Sequence, residues 1–189
     1  MKKLIYFSTS VIPSRYANSV HVMKMCEALV QNGQNVTLLG IKNNHVNVDV
    51  FDYYGVKKIF DIKSFPMLKI PGKNLFNPVT VLSLGVYVFL SSVFILFKKS
   101  PTVYTRDPYG AFVLAILGQK FVWEIHELPS SKFKLLLFKK VLKSDAVTMI
   151  VCISKKMKSL LLEQFSFIEN YEKTMVAHDG ATLSNEIHK

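Results

Sequence analysis

The sequence is poor in the residues that build disulfide frameworks, zinc motifs and glycine-rich nucleotide loops. It holds only 2 cysteines, Cys26 and Cys152, and both lie in apolar runs with no Cys-x-x-Cys or Cys/His spacing. This excludes a zinc motif and a disulfide framework and favours buried thiols in a reducing cytoplasm. GxGxxG and Walker patterns are also absent, which disfavours dinucleotide binding and P-loop chemistry. We therefore expect neither a metal nor a cofactor.

Acidic residues are scarce as well. The 13 Asp and Glu face 24 Lys and Arg, and the formal net charge is +11. Such an excess predicts an anionic partner, such as membrane phospholipid, nucleic acid or a phosphorylated substrate. No DNA- or RNA-reading motif accompanies the charge, so nucleic acid is disfavoured. With 189 residues, of which 50% are hydrophobic, the chain is large and apolar enough for one domain with a sizeable core.

Short apolar runs typical of buried strands alternate with longer stretches of helical periodicity. The predicted strands are 4–8, 36–40, 48–51, 58–62, 101–106, 121–126, 147–153 and 174–178, and the predicted helices are 20–30, 79–97, 109–117, 132–143 and 155–164. Ser19 is predicted to cap the first helix and Gly33 to end it. Alternating helices and near-continuous apolar strands predict a doubly wound α/β fold, a Rossmann-like parallel sheet covered on both faces. No repeat or internal linker is evident, which predicts one domain.

Two segments raise the question of membrane contact. Residues 79–97 are uncharged and long enough to span a bilayer, but small polar residues dilute their hydrophobicity and both flanks are basic. We prefer a buried or membrane-skimming helix and keep a spanning anchor as the alternative. The predicted helix 132–143 interleaves Phe and Leu with Lys132, Lys134, Lys139, Lys140 and Lys143. It fits an anionic lipid surface and a solvated lysine face about equally.

Ligands of open α/β sheets bind beyond the carboxyl ends of the strands. The first such loop, residues 8–19, can present backbone N–H groups to an anion at a helix start. After later strands come Arg106, a permanent charge for a phosphate or a structural partner of Asp107 or Glu124, and His126.

Two further polar residues stand close to strand ends. Glu127 follows His126 and can orient its imidazole, bind a hydroxyl or cap the next helix. Ser154 reads first as a helix N-cap and second as a ligand contact.

Several of these segments together resemble one family. Residues 6–39, with SRYANSVHV between the first strand and helix, are similar to the first βαβ unit of retaining, GT-B fold bacterial glycosyltransferases of the family 4 type. Further matches follow in the family's order: VYTR at 103–106, WEIHE at 123–127, VCIS at 151–154 and VAHDGA at 176–181. Their order and spacing over nearly the whole chain are more specific than any single match.

The resemblance implies that residues 1–181 are the acceptor-binding half of a GT-B enzyme, with 182–189 beginning an interdomain linker or tail. Its substrates are then a nucleotide-sugar and a lipid-linked or polysaccharide acceptor. It places His126 beside the transferred sugar, as the catalytic candidate. The loop containing Ser14, Asn18 and Ser19 then lies near the donor phosphates and the acceptor. Arg106, Glu127 and Ser154 are carried over as weaker substrate contacts.

Three functions remain open at this point. The family's donor-site residues lie in a second domain, so we expect this chain to need a C-terminal domain or partner subunit and to transfer no sugar alone. A fragment, a natural half and a decayed copy all fit. The chain is then half of a membrane-associated transferase in the cytoplasm, peripheral at the inner face of the plasma membrane. The rivals are a non-catalytic partner subunit of the same fold and a small protein anchored by residues 79–97.

Overall fold

The secondary structure follows the predicted alternation of strands and helices. A computed structural model describes residues 3–65, 78–98, 101–168 and 173–178. In chain order the elements are β1 (Lys3–Ile12), α1 (Ala17–Gln31), β2 (Asn35–Lys42), α2 (Val50–Tyr54), β3 (Asp61–Lys63), α3 (Pro78–Leu96), β4 (Thr102–Thr105), α4 (Pro108–Ile116), β5 (Phe121–Ile125), α5 (Lys132–Leu142), β6 (Val147–Cys152), α6 (Lys155–Gln164) and β7 (Thr174–Val176). A 3₁₀ turn, Ser166–Ile168, lies between α6 and β7.

The strands form one 7-stranded parallel sheet in the order β3-β2-β1-β4-β5-β6-β7. Chain direction across the sheet reverses between β1 and β4, because β2 and β3 lie on one side of β1 and the later strands on the other. At such a switch point the connections leave in opposite directions, so a crevice opens at the carboxyl ends of the two strands. The predicted doubly wound, Rossmann-like α/β fold is confirmed.

Alternate strand residues enter two separate cores. On one face, Ile5 and Phe7 of β1 join Trp123 of β5 and the buried sides of α3, α4, α5 and α6. On the other face, Leu4 and Tyr6 of β1 pack against α1 and the region of α2. Because both faces are buried, the strands are apolar at nearly every position, which is why the sequence showed continuous rather than alternating runs.

The first helix begins earlier than predicted. Ser19 does not cap it, because α1 starts at Ala17 and its N-cap, Tyr16, makes no side-chain hydrogen bond to the helix. Ser19 is instead fully buried, and its hydroxyl donates to the Val11 carbonyl, 2.9 Å away. The predicted end at Gly33 is confirmed, since this residue has a φ of 83° that favours glycine.

The predicted strand at 48–51 is wrong. Val50–Tyr54 is a short helix, because the Asp49 carboxylate accepts from the N–H groups of Phe51 and Asp52 and Gly55 ends the turn with a φ of 57°. Such local capping outweighs the strand preference of a few apolar residues. Residues 66–77, the motif residues 179–181 and the tail 182–189 lie outside the described residues.

Helix α4 lies unusually close to β1 at Gly110. A Cβ atom added there would lie 2.5 Å from Cε1 of Phe7, a ring with no exposed surface. The missing side chain lets the N-terminus of α4 approach the carboxyl end of β1, where the crevice opens.

We expect Gly110→Ala to lower the free energy of unfolding by about 1–3 kcal/mol, because the buried Phe7 ring has no room to move away. The matched control is Gly85→Ala within α3, where a Cβ meets nothing within 4 Å; it should raise the same free energy by roughly 0.5–1 kcal/mol. Urea unfolding followed by circular dichroism measures both. Equal effects of the two substitutions would contradict the close approach of α4 to β1.

Candidate functional site

The carboxyl ends of β1, β4 and β5 and the starts of α4 and α5 enclose a cleft of about 410 Å³. It lies at the switch point of the sheet, where ligands of such folds bind. The residues that line it are Ser8, Thr9, Ser10, Asn18, Arg106, Asp107, Pro108, Trp123, Glu124, Ile125, His126, Glu127, Leu128, Pro129, Lys134 and Phe138.

One wall of the cleft is built around the Glu124 carboxylate. Glu124 and His126 are two residues apart, so the pleat of β5 directs both toward the face of the sheet that α1 covers. The His126 Nε2 contacts Glu124 Oε1, and Nε2 of His21, from α1, lies 3.1 Å from the same oxygen. The two imidazole rings meet edge to face, with centroids 5.1 Å apart. Three polar side chains thus converge beneath the cleft.

The Glu124 side chain is only 2% exposed, and its environment keeps it charged. Burial alone raises the pKa of this carboxyl, but hydrogen bonds from His126, His21 and Tyr104 outweigh burial and hold the pKa well below its usual range. An ionised carboxylate only accepts hydrogen bonds, so each imidazole carries its hydrogen on the Nε2 that faces Glu124. In the neutral form, Nδ1 of His126 then carries the lone pair.

The same three residues are a possible metal-binding group. One ligand atom from each of His21, Glu124 and His126 lies within 4.8 Å of the others. Two imidazoles and one carboxylate form a set that Zn²⁺ accepts. Hydrogen bonds to Glu124 account for the arrangement without an ion, and the absence of a metal stays a prediction.

Arg106 supplies positive charge to the opposite side of the cleft. Among the described residues, no carboxylate lies within ion-pair distance of it, so neither of the structural pairings considered from the sequence forms there. Asp107 instead accepts hydrogen bonds from the Thr9 hydroxyl and from the Gly110 N–H, 2.6 Å away, and caps α4. Burial raises the pKa of the Asp107 carboxyl. The guanidinium of Arg106 is therefore available to an anion in the cleft.

The cleft brings together four of the candidate residues: Asn18, Arg106, His126 and Glu127. The Asn18 amide donates to the Ser10 hydroxyl at 3.1 Å. The Glu127 carboxylate lies 3.2 Å from the Lys134 ammonium, and its side chain is 75% exposed. Glu127 does not cap α5, since Ser131 does, and the carboxylate that orients the His126 imidazole is Glu124.

The other three candidate residues, all serines, lie outside the lining of the cleft. The Ser14 and Ser19 hydroxyls are 2.7 Å apart and hold the loop after β1 together. The Ser154 hydroxyl accepts from the Met157 N–H at 3.0 Å and caps α6, the first of the two roles considered from the sequence.

Solved structures with this fold include glycosyltransferases. The chain aligns with sucrose-phosphate synthase from Thermosynechococcus elongatus at a TM-score of 0.64 and 14% identity, covering 96% of this chain and 91% of that one. It aligns with a glycosyltransferase from Rickettsia africae at 0.57 and 16% identity, covering 96% and 44%. For UGT89C1 of Arabidopsis thaliana, complexed with UDP, the values are 0.60 and 11%, with 98% and 51% covered. The likeness is one of fold.

No protein-family model matches the chain, and no curated protein matches it by sequence. The chain spans 44% of the Rickettsia chain and 51% of the Arabidopsis chain. A fold like one half of a GT-B glycosyltransferase is confirmed, while membership of family 4 and a retaining mechanism stay predictions.

The sequence reasoning did not select two residues of the cluster, His21 and Glu124. A signal for Glu124 was present, since a lone carboxylate inside an apolar strand requires a buried donor or cation. Its spacing of two from His126 also predicts a shared face of the sheet. No comparable signal exists for His21, because only the packing of α1 over the sheet brings His21 close to Glu124.

We expect Glu124→Gln to lower the free energy of unfolding at pH 7 by about 1.5–3 kcal/mol, because a neutral amide accepts weaker hydrogen bonds from the two imidazoles. The folded-state pKa of Glu124 is lowered, so the stabilisation is complete above the pKa of the unfolded chain and is lost as the pH falls below it. The difference between wild type and variant should therefore shrink progressively as the pH falls below about 5. Urea unfolding at each pH measures it. Exposed Glu163→Gln is the control, and a pH-independent difference would contradict the charged state.

Proposed function

We propose that this chain is the acceptor-side domain of a glycosyltransferase that moves a sugar from a nucleotide-sugar to an acceptor. The observation that carries the proposal is the cleft at the switch point, where His126 and Arg106 face one cavity in a fold shared with solved glycosyltransferases. The UDP in the Arabidopsis structure supports a nucleotide-sugar as the donor.

The two sides of the cleft have complementary chemistry for this reaction. During transfer the bond from the anomeric carbon to the diphosphate oxygen breaks, the acceptor oxygen forms a new bond to that carbon, and the acceptor's hydroxyl proton passes to the departing diphosphate. Arg106 places a permanent positive charge beside a phosphate group of the bound substrates. His126, oriented by Glu124, accepts a hydrogen bond from the substrate through the Nδ1 lone pair and so fixes the sugar at the point of transfer. Retention of the anomeric configuration is part of the proposal and rests on the sequence resemblance.

The remaining candidates have supporting roles. Asn18 and Glu127 offer an amide and a carboxylate to hydroxyl groups of the substrate. Ser14 and Ser19 maintain the loop that borders the cleft, and Ser154 fixes the start of α6. A second domain or a partner subunit supplies the donor-binding half, and the chain alone transfers no sugar. We assign no metal and no cofactor to the reaction.

The acceptor belongs, in this proposal, to a lipid-linked or polysaccharide molecule at the cytoplasmic face of the membrane. Three lysines of α5, Lys132, Lys139 and Lys140, and its C-cap Lys143 are exposed and can approach anionic headgroups. Helix α3 is long and apolar enough to cross a bilayer, but 39% of its most apolar 18-residue stretch is buried within the domain. We therefore propose that α3 lies against the membrane rather than across it, so that the protein is peripheral.

The activity test combines the chain with its donor-binding half and offers a panel of nucleotide-sugars and a lipid-linked acceptor. We expect transfer only from the combination, and a fall in kcat/KM of about 10²–10⁴-fold in His126→Ala, because the variant no longer positions the sugar. His45→Ala is the matched control, since His45 is exposed in the loop after β2.

Two outcomes would contradict this assignment. Unchanged transfer in His126→Ala would remove His126 from the site. If the combination binds no nucleotide-sugar and transfers no sugar, the likeness to glycosyltransferases would be one of fold only. That result would favour the non-catalytic partner subunit.

Membrane attachment is tested by sedimentation with vesicles rich in phosphatidylglycerol. We expect the double variant Lys139→Glu/Lys140→Glu to bind at least about tenfold more weakly, since each lysine near an anionic surface contributes about 1 kcal/mol. Lys57→Glu/Lys58→Glu makes the same charge change before β3 and should bind like wild type. Salt or alkali should release the wild-type protein from membranes, whereas release only by detergent would favour a spanning α3.

A further inference from the structure

Helix α3 buries its small polar residues together with Tyr87, Val88 and Ile95, while several of its large apolar residues are exposed. Thr80, Ser83, Ser91 and Ser92 are at most 2% exposed. The Ser83 and Ser92 hydroxyls donate to carbonyls four residues earlier in the helix, at 2.7 and 2.8 Å, so both are satisfied without water. Leu82 and Phe89, by contrast, are each 63% exposed. A helix that packs only against protein and water shows the reverse pattern, so its outer face fits an apolar environment.

The exposed side of α3 forms one wall of an apolar groove. Together with the first turns of α4 and α5 it encloses about 480 Å³. Leu84, Val88 and Phe89 of α3 face Phe112 of α4 and Phe133 and Leu137 of α5. A volume of this size holds on the order of ten methylene groups, if each takes about the space of one water molecule.

The groove and the cleft share the starts of two helices. Pro108, at the start of α4, and Lys134, in the first turn of α5, line the cleft. Their neighbours Tyr109 and Phe133 line the groove. A molecule with one apolar and one anionic end can therefore reach both sites around these two helix starts, with its charged end beside Arg106.

We propose that the groove between α3, α4 and α5 binds the hydrocarbon chain of a lipid acceptor whose phosphate lies at the mouth of the cleft. This inference rests on the proposed function and makes it specific, because it assigns the acceptor to the anionic lipids. The apolar lining of the groove and the guanidinium of Arg106 at the adjoining edge of the cleft match the two ends of such a molecule.

Gly85 provides a way to block the groove without disturbing the fold. It lines the groove within α3, and a Cβ added there meets nothing within 4 Å. In Gly85→Trp the indole enters the groove and occupies the space proposed for the lipid chain. Ile116→Trp is the matched control, because Ile116 is 63% exposed on α4 and does not line the groove.

The experiment measures binding of dodecyl phosphate, below its micelle concentration, and of inorganic phosphate to the full chain by titration calorimetry. Wild type and Ile116→Trp should bind one dodecyl phosphate at least about tenfold more tightly than phosphate, since the chain leaves water. Gly85→Trp should lose that gain and keep its affinity for phosphate. Arg106→Ala should bind both ligands more weakly. Circular dichroism confirms that each variant is folded, and Gly85→Leu is a second, smaller block.

Three results would overturn the inference. The first is equal affinity of the wild type for dodecyl phosphate and inorganic phosphate, and the second is equal binding of dodecyl phosphate by the wild type and Gly85→Trp. The third is a concentration-dependent dimer that Gly85→Trp abolishes without any change in lipid binding. The second would indicate adsorption to exposed α3, and the third a second copy of the chain in the groove. Because the measurement needs neither donor nor sugar transfer, it separates the two proposals. If the chain binds dodecyl phosphate selectively but the chain combined with its donor-binding half transfers no sugar, the lipid groove is supported and the proposed transferase function is rejected.

Discussion

The cleft depends on one buried charge, the Glu124 carboxylate. An ionised side chain inside a protein is unfavourable unless donors surround it, and here the donors come from three elements: His126 beyond β5, Tyr104 on β4 and His21 on α1. The charge therefore fixes how α1 lies over the sheet as well as the orientation of His126. A neutral carboxyl both donates and accepts hydrogen bonds, so it would not determine which nitrogen of each imidazole carries the hydrogen.

The fold places the Glu124 carboxylate and the Arg106 guanidinium on different sides of the cleft. Asp107 accepts hydrogen bonds from the Gly110 N–H at the start of α4 and from the Thr9 hydroxyl. Although Asp107 follows Arg106 in the sequence, the two do not form an ion pair, and the Arg106 guanidinium faces the cleft. The reversal of chain direction between β1 and β4 provides the space between the two walls. One wall thus offers the His126 imidazole and the other the permanent cation of Arg106, which is the combination that the proposed reaction uses.

Local signals explain which features could be predicted from the sequence. Helix α6 has the predicted bounds because Ser154 caps it and its periodicity is regular. Apolar strands that are buried on both faces were equally clear, and Cys26 and Cys152 are buried as predicted. The strand at 48–51 failed because capping by Asp49 is a side-chain effect that hydrophobic patterns do not contain. Ser14 and Ser19 bond to each other, and the contact of His21 with Glu124 joins segments far apart in sequence, so neither relation was visible before folding.

Helix α3, which we propose to face lipid, is also joined mechanically to the cleft. The Tyr87 hydroxyl, on the buried side of α3, donates to the Ser8 carbonyl at 2.8 Å, and Ser8 lines the cleft. Burial raises the pKa of the Tyr87 phenol, so it stays a donor at any physiological pH. A rotation of α3 would break the buried hydrogen bond from the Tyr87 hydroxyl to the Ser8 carbonyl. In the proposed membrane-bound state, the helix that contacts lipid is therefore fixed to the strand end beside the cleft, so the bilayer surface also sets the position of the cleft.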